Sequence, residues 1–180
     1  MTSRQLSIRP DNIPSSGHIS FKNGFPVLSF TIQSQAGLLD PRSIRINGDL
    51  SVFRDNLATP TPPTNNANEP TMDNRLGVYN VFDQLIIRHN KSKQICEHIR
   101  NYGRMQSTLL GVGASRQSLM APLGESCLVM PNASTFYESV IKSSVANPRT
   151  ASFSAHLSCG FIQSGNVVNL MENSFGGIQI

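Results

Sequence analysis

The chain has no tryptophan and only three tyrosines in 180 residues, Tyr79, Tyr102 and Tyr137. A sugar-binding sandwich generally stacks its ligand on exposed aromatics, so this poverty counts against that class. Charge is also scarce, at 14% of residues with a net +4, and the basic residues are spread along the chain. A dedicated nucleic-acid binder gathers them into a stripe. An inner surface facing packaged nucleic acid needs no more charge than this. The three cysteines, Cys96, Cys127 and Cys159, are odd in number and far apart. They fit neither a disulfide framework nor a zinc pattern and read as reduced thiols. No apolar run approaches the length of a membrane span. The opening MTSRQLSIRP lacks the apolar core of a secretory leader. The sequons Asn90–Ser92 and Asn132–Ser134 carry little weight without that route.

Serine, asparagine, threonine, glycine and proline are abundant, which suits a β-rich domain with many turns. Such a sparsely charged surface is of the kind that assemblies bury. Residues 1–24 read as an extended polar arm, either wrapped on a neighbour or disordered. Residues 25–180 read as one domain, long enough to bury a core. Phe25–Ser34 alternates, with Leu28, Phe30 and Ile32 opposite Ser29, Thr31 and Gln33. Gly37–Arg42 reads as a turn broken at Asp40-Pro41. Ser43–Phe53 alternates again, with Ile44, Ile46, Gly48, Leu50 and Val52 on one face. Two amphipathic strands in succession predict an antiparallel sheet with one wet face. Arg54–Asn74, with Pro60, Pro62, Pro63 and Pro70, reads as a long exposed loop.

The stretch Asp73–Leu110 is the unit around which the chain is arranged. Val78–His89 reads as β-rich and Asn90–Lys93 as a basic turn. Ile95, Ile99, Tyr102, Met105 and Leu109 then recur at helical spacing. Gly103 weakens a continuous helix, which allows a strand over Gln94–Ile99 and a helix over Asn101–Leu110, capped at Asn101 and stopped by Gly111. Gly111–Gly124 reads as loop, and Cys127–Met130 is a short apolar stretch. Thr135–Val145 reads as a helix with capping-box spacing from Thr135 to Glu138, ended by Asn147-Pro148. Thr150–Cys159 is the clearest strand: Ala151, Phe153, Ala155, Leu157 and Cys159 oppose Ser152, Ser154, His156 and Ser158. Gly160 and Gly165 bracket a turn, and Val167–Met171 and Gly176–Ile180 are short apolar segments. A strand interrupted at Ile180 would leave an exposed edge.

Catalytic and metal-binding patterns are looked for and not found. His18, His89, His98 and His156 form no HxxxH or HExxH spacing. Cys96 and His98 share a strand face without further ligands. His156 lies among serines but without a nucleophile elbow or an orienting acid. Asp83 and Glu97 would act as an acid pair only if folding brought them together, and Asp83 reads instead as hydrogen-bonded to a turn or facing a neighbour. GVGAS lacks the third glycine of a dinucleotide fingerprint and the lysine of a P-loop. No residue is assigned a catalytic, cofactor-binding or metal-binding role, and no enzyme activity or cofactor is expected.

Three segments carry a family resemblance. DNRLGVYNVFDQLIIRH followed by QICEHIRNYGRMQSTLL is similar to a stretch in capsid proteins of virophages, Polinton elements and polinton-like double-stranded DNA viruses. GLLDPRSIRINGDLSVF resembles the strand pair before that stretch, and SFSAHLSCGFIQSGNVVNLMENSFGGIQI the strand entering the second half of the fold. The resemblance covers most of residues 25–180. It implies an antiparallel jelly-roll β-sandwich with one or two short helices in its connections, from the double-jelly-roll lineage. The length favours the single-jelly-roll penton, which forms pentamers at icosahedral vertices. Its partners would be copies of itself, neighbouring major and minor capsid proteins, and packaged DNA through non-specific contact. Its place would be the virion, after assembly inside the host cell. A jelly roll needs eight strands; six or seven are counted, leaving the last to a continuation of the chain or to a neighbour. The alternatives are part of a major or minor capsid protein of that lineage, and a β-sandwich module binding carbohydrate or a receptor.

Overall fold

The computed structural model describes residues 5–13, 19, 26–33, 37–51, 76–113, 127–128 and 150–180. The expected loop Arg54–Asn74 and helix Thr135–Val145 lie outside them. Within them the protein is mainly β, with antiparallel ladders and two helices. The strands are β1 (Thr31–Ile32), β2 (Leu38–Leu39), β3 (Arg45–Ser51), β4 (Gln84–His89), β5 (Ile95–Arg100), β6 (Thr150–His156), β7 (Val168–Asn169) and β8 (Ile178–Gln179). The helices are α1 (Tyr102–Gly113) and α2 (Gly160–Gln163), and 3-10 turns span Pro41–Ser43 and Gly77–Val81. These elements gather into two compact units.

The first unit draws on Met1–Arg42, Leu85–Ile99 and Cys159–Ile180. Its main sheet has the order β1-β8-β4-β5, and β2 pairs with β7 beside it. The core face of the sheet follows from alternation. Ile32 is opposite Ile178, which is opposite His89, and Leu85 and Ile87 share the side of His89 on β4. Ile32, Ile178, Leu85 and Ile87 are buried, each contributing about 2 kcal/mol. The terminal segment is therefore not an exposed edge. β8 lies between β1 and β4, and Ile180 exchanges backbone hydrogen bonds with Phe30 at 2.8 and 2.9 Å.

On the outer side of β1, Asp11 N–H donates to Ser29 O at 2.7 Å, and the Asn12 side chain bonds the backbone of Ser29 and Val27. Of the expected strand over Phe25–Ser34, Thr31–Ile32 is strand among the described residues, and at Ser29 the Asp11 amide and the Asn12 side chain meet the backbone instead of a neighbouring strand. The β4–β5 hairpin turns through Asn90–Lys93, as its basic turn residues predict. Lys93 has φ +57°, and both Lys93 N–H and Gln94 O bond His89, which bulges the hairpin by one residue. Gly37–Arg42, expected as a turn, contains β2, since Leu38 and Leu39 find partners in Asn169 and Val168.

The second unit draws on Ser43–Gln84 and Arg100–Ser158. β3 and β6 pair in antiparallel register from Arg45↔His156 to Ser51↔Thr150. Both strands follow their predicted alternation: Arg45, Asn47 and Asp49 are exposed and the residues between are half-buried, while Ala151, Ala155 and Leu157 are buried. Leu128 and Ala151 pack with Leu50 and Phe153. The Phe153 ring covers its register partner Gly48, so a glycine that would weaken a strand is sheltered.

The predicted β-segment Val78–His89 holds only in its second half. Gly77–Val81 is a 3-10 turn, and Gly77 explains it. Its φ is +52°, and a Cβ there would lie 2.4 Å from Cys127 O and 2.5 Å from Leu128 O. Of the two readings left open for the next segment, strand followed by helix is the one observed. α1 does not stop at Gly111 but continues to Gly113. Asn101 makes no side-chain cap; the leading amides of α1 are accepted by the backbone instead, Tyr102 N–H by Asp83 O at 2.7 Å and Gly103 N–H by Phe82 O at 3.1 Å. Gly103 permits this approach, since a Cβ would sit 2.7 Å from Tyr79 O. The buried face of α1 is therefore Tyr102, Gly103 and Gln106, while Leu109 and Val112 are exposed.

Two glycines separate strain from crowding. Gly37→Ala meets no atom within 4 Å at its φ of +76° and should cost about 1 kcal/mol. Gly77→Ala adds a backbone clash to the same kind of strain and should cost about 3 kcal/mol. Urea unfolding of both variants measures the difference; equal losses would refute the crowded turn.

Candidate functional site

The densest polar arrangement among the described residues runs along the edge of β6 away from β3. Backbone groups of a strand point alternately to its two sides, and those of Ser154, His156 and Ser158 meet side chains rather than a third strand. Tyr79 Oη donates to His156 O at 2.9 Å, and Cys127 Sγ donates to Ser154 O at 3.6 Å. Ser158 N–H donates to Tyr102 Oη at 2.8 Å, and Gln106 Nε2 donates to Ser158 O at 3.1 Å. Tyr79 and Tyr102 meet edge to face, 6.4 Å between ring centres. Tyr79, Tyr102, Gln106 and Cys127 are all buried, so these bonds are shielded from water. Burial and the neighbouring Cys127 thiol push the Tyr79 hydroxyl far above its ordinary pKa, so it stays a donor.

In the other unit, Glu97 on β5 accepts from the amides of Gly160 at 2.8 Å and Phe161 at 2.7 Å. Desolvation raises its pKa. Hydrogen bonds from Phe161, the Cys159 thiol and Gly160 outweigh that and leave it below the ordinary glutamate range. Cys159 is pushed up to about 12, by burial first and then by the adjacent carboxylate. A thiol held there is not a nucleophile near neutral pH.

The residues singled out in the sequence do not converge. His18 lies outside the described residues. His89 stacks on Phe175 at 4.7 Å, its Nδ1 accepting from Ser92 N–H. His98 and Cys96 are exposed on β5. Asp83 precedes β4 and serves α1 through its backbone carbonyl. His156 faces Arg45 in register; burial, then the guanidinium charge, lower its pKa. Among the described residues no serine hydroxyl or carboxylate bonds its imidazole, and Ser152 instead donates to Asp49 at 2.6 Å. No group of three His, Cys, Asp or Glu among the described residues could hold a metal ion. None of their helices is long and apolar enough to cross a membrane. The structural roles of Tyr79, Gln106 and Glu97 were not legible from local sequence, because every partner is more than 45 residues away. Compared with protein-family models, curated proteins and solved structures, the chain gives no match.

Two substitutions probe these networks. Tyr79→Phe removes the donor to His156 O and should cost about 1–2 kcal/mol in chemical denaturation. For Glu97 the folded pKa is depressed, so its stabilisation is complete above the ordinary glutamate range and lost as pH falls through the folded value. Glu97→Gln should cost about 1 kcal/mol at neutral pH, discounted for partial exposure. The cost should vanish in acid. Denaturant midpoints of both proteins from neutral pH into the acid range check this; a pH-independent difference would contradict it.

Proposed function

We propose that this chain is a structural capsid protein with a jelly-roll fold, most simply the penton that forms pentamers at icosahedral vertices. One observation carries the reading beyond the sequence resemblance: the ladders are nested. Thr31 pairs with Gln179 and Leu38 with Asn169 in one unit, and Arg45 with His156 in the other, so within each unit an early segment pairs antiparallel with a late one. β4 then joins the other side of β8. Nested antiparallel pairing of early with late segments is the pairing order that a jelly roll calls for. The inference from fold to role is an analogy, supported by a sparsely charged chain whose polar networks hold backbone rather than substrate.

In this reading the work is done by shape. Copies related by rotation bury heterologous faces and close a ring, with neighbouring capsid proteins around it and packaged DNA beneath. The sugar-binding alternative loses two of its three tyrosines, since Tyr79 and Tyr102 are buried. The purified chain, studied by light scattering and negative-stain imaging, should form a closed ring of about five copies of the 19.7 kDa subunit. A monomer at every concentration tested, together with glycan binding, would overturn the proposal.

A further inference from the structure

The wet face of the β3–β6 ribbon includes the cross-strand pairs Arg45–His156, Asn47–Ser154 and Asp49–Ser152. Residues directly opposite project from the same face, so the first two pairs form one block of four side chains. The pairs differ in how they are engaged. Ser152 Oγ donates to Asp49 Oδ1 at 2.6 Å, which closes that pair on itself. The side chains of Arg45, Asn47, Ser154 and His156 make no hydrogen bond or ion pair to another of the described residues.

Charge, access and support set this block apart from an ordinary solvated face. A guanidinium stands opposite an imidazole, and like charges directly opposite weaken a strand pair. Burial first, and then the Arg45 charge, hold the His156 pKa below its ordinary value, which relieves that repulsion. The block is open to solvent: Arg45 and Asn47 are exposed, and Ser154 and His156 are half-buried. Its backbone is also fixed. The carbonyls of Ser154 and His156 are held from the far edge of β6 by Cys127 Sγ and Tyr79 Oη. Donors held in place before a ligand arrives lose less freedom on binding it.

The donors select the ligand. The guanidinium, the Asn47 amide, the Ser154 hydroxyl and an imidazolium all donate, whereas a metal cation would meet the Arg45 charge. The four stand at the corners of a space about 5 Å across the strands and about 7 Å along them. A carboxylate offers two oxygens in one plane, which the fork of one guanidinium already fills. A phosphate offers three oxygens pointing apart and carries more charge. The Asp49 carboxylate, one pair further along, repels a second phosphate in line and leaves room for one at the Arg45–His156 end. We propose that Arg45 and His156, with Asn47 and Ser154 beside them, form a binding site for one phosphate group. That group belongs to a free phosphate compound or to a nucleic-acid backbone.

The test follows the His156 ring protons of the full chain by NMR as pH is varied at constant ionic strength. A bound phosphate favours the charged imidazole, so saturating inorganic phosphate should raise the His156 midpoint by about one pH unit over chloride. In Arg45→Gln the midpoint in chloride should rise, because the guanidinium is gone, and the phosphate response should vanish. Asn47→Ala should keep the response but need several-fold more phosphate. Backbone amides that stay unmoved away from β3 and β6 show that each variant keeps its fold. A short oligothymidylate is titrated in parallel. A stronger response per phosphate than inorganic phosphate gives identifies a nucleic-acid backbone as the source; a weaker or absent one identifies a small phosphate compound. An equal response to acetate, a response kept in Arg45→Gln, or no response to either phosphate source overturns the proposal. The titration does not require assembly, so it stands or falls apart from the capsid reading.

Discussion

Backbone amides and carbonyls buried away from water must be paired, and that requirement governs the segment Thr150–Ser158. One side of β6 is satisfied by β3 through seven register pairs. On the other side no third strand is recorded among the described residues. Tyr79, Tyr102, Gln106 and Cys127 supply the partners one by one. Their own polar atoms are satisfied by the same bonds, so burying them carries little penalty. The 3-10 turn at Gly77–Val81 and the helix α1 exist in their observed places because they hold these side chains against the strand.

The first unit meets the same constraint differently. Its terminal strand β8 is covered on both sides, by β1 and by β4. The outer side of β1 is met by Asp11 and Asn12, which bond the backbone as a strand would. Glu97 satisfies the leading amides of α2, whose four residues offer no capping side chain of their own. In both units polar side chains, Tyr79 and Gln106 in one and Glu97 in the other, bond the backbone.

The unpaired Nε of Arg88 stands out against this background of satisfied groups. It lies on a face whose other members, Thr31 and Gln179, have partners close by in the sequence of strands.

The two long strands were legible in the sequence because their neighbours are of two kinds. Ile44–Leu50 and Ala151–Cys159 each place one face against a core and the other toward water, and period-two alternation records both. The turn at Asn90–Lys93 was legible because its constraint is local. Val78–Val81 was misread as strand because its apolar residues fit either structure, and the choice rests on Gly77 against the carbonyls of Cys127 and Leu128, some 50 residues on. The interior position of β8, the cap made by Glu97 and the burial of Gln106 depend likewise on partners that only folding brings near. The amino-acid sequence by itself determined which segments have two unlike faces; the tertiary structure decided what each edge and each polar group would meet, since hydrogen bonds between distant residues leave no period in the chain.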